Sequence, residues 1–141
     1  MEKSFAEKVV EIKNLFSFFS KDEEKYSSLI AMGKKMPPFS ESLKTPDRIV
    51  HGCQSTLYLQ AECKEGKIFF SAASDALISA GLAALLIMAY SGETPETVLK
   101  NPPLFLQEIG ILTSLSPNRS NGLHHIYLRM KQEALNFLIT K

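Results

Sequence analysis

The residues best suited to chemistry are Gly52-Cys53-Gln54-Ser55. A thiol on a glycine-bearing turn between two strand-like runs sits where the backbone can present it. Its reactivity belongs to the thiolate, which needs access and a neighbouring positive charge or hydrogen-bond donor. Arg48 and His51 are close by in sequence. The same position also suits a cysteine that packs as a small apolar residue, and the turn alone does not decide between the two. Cys63 ends an alternating run beside Lys64 and Glu65 and reads as a packing or incidental residue. The other unusual segment is Pro117-Asn118-Arg119-Ser120-Asn121-Gly122. A polar, glycine-containing helix start offers backbone amides, and Arg119 a guanidinium, to an anion such as a thiolate or persulfide. Helix capping accounts equally well for Ser116, Ser120 and Asn121 but leaves Arg119 unexplained. His124 and His125 are adjacent on one helix and face different sides, so at most one serves a given site.

What is missing narrows the chemistry. Two cysteines cannot make a cysteine-only zinc site, and no CxxC or HxxxH spacing joins them to the three histidines, so no metal is expected. Without a glycine-rich phosphate loop, a GxSxG elbow or an HExxH helix, nucleotide hydrolases, α/β-hydrolases and zincins have no support, and no cofactor is expected. Sixteen Lys plus Arg against fifteen Asp plus Glu give a net charge of +1, which leaves no broad basic footprint for nucleic acid. The first residues mix charges of both signs, unlike a signal peptide. The longest uncharged run, Ala76 to Gly92, is shorter than the ~20 residues that cross a bilayer and is broken by Ser79, Gly81 and Ser91, so a buried helix is expected rather than a membrane span. The expectation is a cytoplasmic chain with both thiols reduced.

The elements that must position these residues follow from periodicity. Phe5, Val9, Ile12, Phe16 and Phe19 mark an amphipathic first helix. Ser20-Lys21-Asp22-Glu23 has the form of a capping box, predicting a second helix from near Asp22 with a Tyr26, Leu29, Ile30 stripe, ended by Gly33 and Pro37-Pro38. Residues 36–47 read as a loop. Arg48 to His51, Thr56 to Cys63 and Ile68 to Ala72 are strand-like, the last two joined by a hairpin turn at Lys64-Glu65-Gly66-Lys67. Ala76 to Tyr90 is apolar on nearly every side and is the expected central pillar. Thr94-Pro95 starts a short helix that Asn101-Pro102-Pro103 stops, another is expected over Leu104 to Ile109, and Ser116-Pro117 opens a long final helix. With no repeat and no linker, the 141 residues are read as one α+β domain, 1–141, in which a small antiparallel sheet of about three strands packs against helices.

Gly52-Cys53-Gln54-Ser55, Ser74-Asp75-Ala76 before the Gly81-containing helix, the Thr94-Pro95 start, and Leu115-Ser116-Pro117-Asn118-Arg119-Ser120-Asn121-Gly122-Leu123 together resemble the SufE family over roughly residues 5 to 135. The resemblance implies a sulfur acceptor of iron–sulfur cluster assembly. Such a protein takes persulfide sulfur from a SufS-type cysteine desulfurase, stimulating that enzyme, and passes it to a SufBCD-type scaffold. It implies that Cys53 is the acceptor, that Gly52, Gln54, Ser55 and the flanking His51 support it, and that pyridoxal phosphate belongs to the desulfurase. It also implies a curved antiparallel sheet covered on one side by helices, shared with the IscU-like scaffolds. The chain departs from the pattern at Leu57-Tyr58, where the family often has a tryptophan after a β-branched residue, and at His51, whose position gives no support for proton transfer. Cys63 matches no family motif. Asp75 and residues 36–47 are the candidates for a partner-facing surface.

Arg119 is expected to stabilise the Cys53 thiolate and its persulfide if its helix start packs near the 52–55 turn. Two other readings stay open: a Cys–His thiol hydrolase using Cys53 and His51, which lacks an evident orienting group, and a non-catalytic interaction module. An independent enzyme is not expected. The chain is expected to be a monomer or weak dimer, since its apolar run is accounted for as core.

Overall fold

The computed structural model describes residues 3–53 and 55–140, so Gln54 of the central motif lies outside the described residues. The first helix, α1 (Phe5–Ser17), follows the expected stripe and buries Ile12 and Phe16. Its start is a capping box that the periodicity did not reveal: the Glu7 amide donates to Ser4 Oγ and the Ser4 amide to the Glu7 carboxylate, each at 3.1 Å. Helix α2 (Asp22–Lys34) begins where expected, with a different carboxylate closing its first turn. Glu24, not Glu23, accepts from the amides of Ser20 and Lys21 at 3.2 and 3.1 Å, and the Ser20 hydroxyl donates to it rather than accepting.

Strands β1 (Leu57–Lys64) and β2 (Lys67–Ser74) form the predicted hairpin, in register from Leu57 opposite Ser74 to Lys64 opposite Lys67. Glu65 (φ 52°) and Gly66 (φ 80°) take the left-handed pair of conformations that a two-residue hairpin turn requires. The expected third strand shrinks to one bridge, Ile49 opposite Tyr58, with Val50 N–H bonded to Leu57 C=O at 2.8 Å. A 3-10 turn at Pro46–Arg48 on one side and the Gly52 turn on the other leave too little extended chain for more. The far edge of the hairpin likewise carries a single bridge, between Ile68 and Glu93.

Helix α3 (Leu77–Tyr90) is the pillar, in contact with α1, α2, β2 and the last helix, with Leu85, Leu86 and Tyr90 wholly buried. Gly81 explains its own place in that helix. A Cβ there would stand 2.9 Å from the Leu29 Cβ and nearer still to the Leu29 carbonyl, so only glycine lets α2 and α3 approach this closely. Next come α4 (Pro95–Lys100), capped by Thr94, then α5 (Phe105–Glu108) and α6 (Ile111–Ser114). The helix expected over 104–109 is one short turn, and Gly110 (φ 71°) reverses the chain into a second turn that the sequence pattern does not signal. The last helix, α7 (Pro117–Ile139), opens at Ser116, whose hydroxyl accepts from the Arg119 amide at 3.3 Å. Among the described residues no helix is long and apolar enough to cross a membrane.

Candidate functional site

The segment leading to Cys53 is held from two sides. Arg129, on α7, donates from Nη1 to the Ile49 carbonyl at 3.0 Å and from Nη2 to the Asp47 carbonyl. Arg48 donates from Nε to the Gln60 side chain at 2.5 Å, tying the same stretch to β1. The chain then turns at His51 and Gly52. Gly52 has φ 98°, a region that side chains disfavour. Its bare face lies against the His125 ring: a Cβ on Gly52 would come within 2.6 Å of Nε2 and closer to Cγ and Cδ2. Of the adjacent histidines, His125 therefore packs on the cysteine turn, while His124 faces an apolar hollow with Leu104, Leu106 and Tyr127.

This turn places Cys53, half-buried, at a cleft of about 380 Å³. Its thiol donates to the Gly122 carbonyl with an S···O distance of 3.8 Å. Ile30, Ile78, Leu82 and Ile126 give the cleft apolar walls. Polar groups enter from two helix starts: Ser79 in the first turn of α3, and Asn118 and Arg119 in the first turn of α7. Ser55 also lines the cleft, and its hydroxyl donates to Ser79 Oγ at 2.7 Å. The two motifs singled out in the sequence thus meet across one cavity.

Burial alone pushes the Cys53 thiol above its ordinary range. Of the sequence expectation that Arg119 stabilises the thiolate, the structure supplies the shared cleft, with the Arg119 side chain solvent-exposed at its wall while burial raises the thiol. At neutral pH the resting sulfur is therefore a thiol, bonded to a carbonyl that would repel an anion.

The other expected residues fall elsewhere. His51 is exposed in the turn and is not part of the cleft wall. Cys63 is free and exposed on β1, opposite Ile68. Asp75 is exposed and lines a separate polar depression with Lys44, Thr56 and Ser74. The residue that sequence reasoning missed is Ser79. Its signal was present, as a hydroxyl inside an otherwise apolar helix, but it read only as an interruption of the apolar run.

Comparison with known proteins gives the family of the chain. The family model for SufE, described as an Fe-S metabolism associated domain, matches residues 10–134. A SufE-like protein of Synechocystis is 33% identical over 129 residues, covering 92% of this chain and 81% of that protein. The sulfur acceptor protein CsdE of Escherichia coli is 34% identical over 115 residues, covering 80% of this chain and 78% of CsdE. The solution structure of a hypothetical protein from Thermus thermophilus superimposes with a TM-score of 0.78 at 28% identity, covering 94% of this chain and 96% of that one.

Proposed function

The chain belongs to the SufE family, and on that premise we propose that it is a sulfur carrier of iron–sulfur cluster assembly, with Cys53 as its acceptor. A SufS-type cysteine desulfurase is the donor and a SufBCD-type scaffold the recipient. One observation carries the reading. The cysteine shared by the family motif lies half-buried at a cleft with room beyond its sulfur, walled by the residues of the second motif. The acceptor activity named for CsdE supports the same assignment.

The transfer needs no water and no metal. The Cys53 thiolate attacks the terminal sulfur of the donor's cysteine persulfide, forming a new S–S bond. The donor's S–S bond breaks, and its cysteine leaves as a thiolate with the electron pair. One S–S bond replaces another, with no net oxidation. Because the resting Cys53 is protonated by burial, its proton must be lost as the turn meets the donor, and Arg119 stands at the cleft wall to favour the anions that follow. Emptying the donor cysteine frees it for another turnover, which is how an acceptor stimulates the enzyme it serves. Pyridoxal phosphate remains with the donor, and cytoplasmic residence is part of the same proposal.

Mixing the protein with a cysteine desulfurase, cysteine and pyridoxal phosphate should add one sulfur atom to wild type and none to Cys53→Ser by intact mass. Equal gain in the two proteins removes Cys53 from the role. The hydrolase alternative relies on His51, which does not line the cleft, and an interaction module without chemistry would leave Cys53→Ser fully active in cluster assembly.

A further inference from the structure

We propose that the Ser55–Ser79 hydroxyl pair is the cargo-holding donor of the cleft, with the Ser79 hydroxyl hydrogen-bonding the terminal sulfur of a persulfide on Cys53. The inference rests on the reading of Cys53 as the acceptor and deepens it.

Three observations converge. Ser55, Ser79 and Cys53 line the same cleft. The Ser55 hydroxyl donates to Ser79 Oγ at 2.7 Å, which fixes the Ser79 oxygen as an acceptor and leaves its own proton to point elsewhere. Among the described residues that proton has no acceptor. A serine in a helix usually returns its proton to a carbonyl one turn back, and Ser79 makes no such bond. The hydroxyl is therefore an oriented donor at the wall of a cavity otherwise lined there by Ile78 and Leu82.

The cargo supplies what this donor lacks. A persulfide on Cys53 extends one sulfur beyond Sγ, and its anion is desolvated by the apolar walls that surround the thiol. A buried anion without a donor is costly. The partner of Sγ in the resting state is a carbonyl, which cannot donate. The bonded serine pair can, and polarisation of the Ser79 hydroxyl by Ser55 strengthens the bond it gives. Holding the persulfide as an anion also protects it, because a solvent thiolate attacks an anionic persulfide less readily than its neutral form.

The test uses the full chain with Cys63→Ser in every arm, so that only Cys53 carries sulfur. The protein is loaded with sodium polysulfide, the excess is removed, and loss of the added sulfur to dithiothreitol is followed by intact mass from pH 6 to 9. Ser79→Ala should shorten the persulfide half-life at pH 8 about tenfold, the size expected for one hydrogen bond to a charged group. It should also move the pH dependence of the loss upward, while Ser79→Thr keeps the parent half-life. Ser55→Ala, which removes only the polarising partner, should give a smaller loss in the same direction. Alkylation of the unloaded thiol should be the same in all variants. An unchanged half-life in Ser79→Ala overturns the assignment, as does an equal change in unloaded-thiol alkylation, which would mark a merely structural effect. Failure of Cys53 to take sulfur from a desulfurase would instead overturn the reading beneath it, and chemical loading keeps the two failures apart.

Discussion

Substituting Gly52 with alanine adds one methyl group where the cysteine turn rests on α7. The backbone φ of 98° and the imidazole of His125 oppose it together. A side chain forced into a positive-φ conformation costs about 1–2 kcal/mol. Overlap with a packed ring adds about 1–3 kcal/mol when neighbours must shift. Among the described residues, the hydrogen bond that ties residues 52–53 to α7 is the thiol–carbonyl contact of 3.8 Å, beside the His125 ring on Gly52 and the packing of Cys53 against the core. The chain is therefore expected to relieve the strain by lifting the turn away from His125 while the core stays folded. Cys53 then loses its burial, and its reaction with iodoacetamide at pH 8 should accelerate at least about tenfold, since 1–2 kcal/mol already shifts such an equilibrium by a factor of about 5–30. The ceiling is built into the molecule, because exposed Cys63 reports the rate of an unprotected thiol in the same reaction. Peptide mapping separates the two sites, and the urea midpoint of the core should move little. In Gly52→Ala/His125→Ala the ring is gone and only the backbone cost remains, so the Cys53 rate should fall back partway toward wild type. A Cys53 rate unchanged by Gly52→Ala, or a double variant as fast as the single one, would refute the claim that overlap with this ring drives the turn outward.

Three further outcomes follow from the same geometry. Arg119→Ala should leave the pH profile of Cys53 alkylation in place, since burial alone sets the resting thiol, yet should slow sulfur uptake from a desulfurase in single-turnover mass measurements. Because the folded pKa of Cys53 lies above the ordinary 9.0, its contribution to stability is complete below that value and is lost as pH rises through the folded pKa. The stability difference between wild type and Cys53→Ser in urea should thus be constant near pH 7 and shrink above pH 9, the buried tyrosines cancelling because both proteins carry them. Gly122→Ala places a Cβ 3.6 Å from Sγ, an ordinary contact, so the thiol form should gain up to about 1 kcal/mol of helix stability. The same methyl narrows the cleft beside the sulfur and should reduce persulfide loading by mass.

The sequence made the helices legible where apolar spacing and caps agreed. The Phe5 to Phe19 stripe, Thr94-Pro95 and Ser116-Pro117 each specify their element locally. It was less informative wherever the decision belonged to a distant segment. Ile49 has the β-branched character of a strand, but its pairing is limited by the turns on either side and by what Arg129, 80 residues away, holds in place. The box at α2 closes on Glu24 because the N-cap is Lys21, one residue later than the Ser-x-x-Glu reading, which makes Glu24 the third residue of the helix. At the site, Cys53 and Arg119 are visible in the sequence as chemical oddities, and both line one cleft. Ser79 and His125 were not legible as site residues. The partners that give them meaning, Ser55 and Gly52, are 24 residues before the first and 73 before the second.

The raised pKa of Cys53 sharpens what the cleft is for. An enzyme that attacks its own substrate profits from a thiolate prepared in advance, with a cation or base beside it. Here the resting sulfur is half-buried, protonated and bonded to a carbonyl, with His51 outside the cleft wall and the Arg119 side chain solvent-exposed at it. Such a thiol is slow toward oxidants and stray electrophiles. On the proposed function its reactivity is supplied when the turn is drawn toward a donor, against the S–H···O contact, the imidazole on Gly52 and the packing of Cys53 on the core. Once sulfur is loaded the requirement reverses, since an anion must now be kept, and the groups suited to keeping it, Ser79 and Arg119, project from the two helix starts that the unloaded thiol does not use. On the proposed roles of Ser79 and Arg119, one cavity would give opposite treatment to thiol and persulfide, the asymmetry that a protein accepting sulfur from one partner and holding it for the next requires.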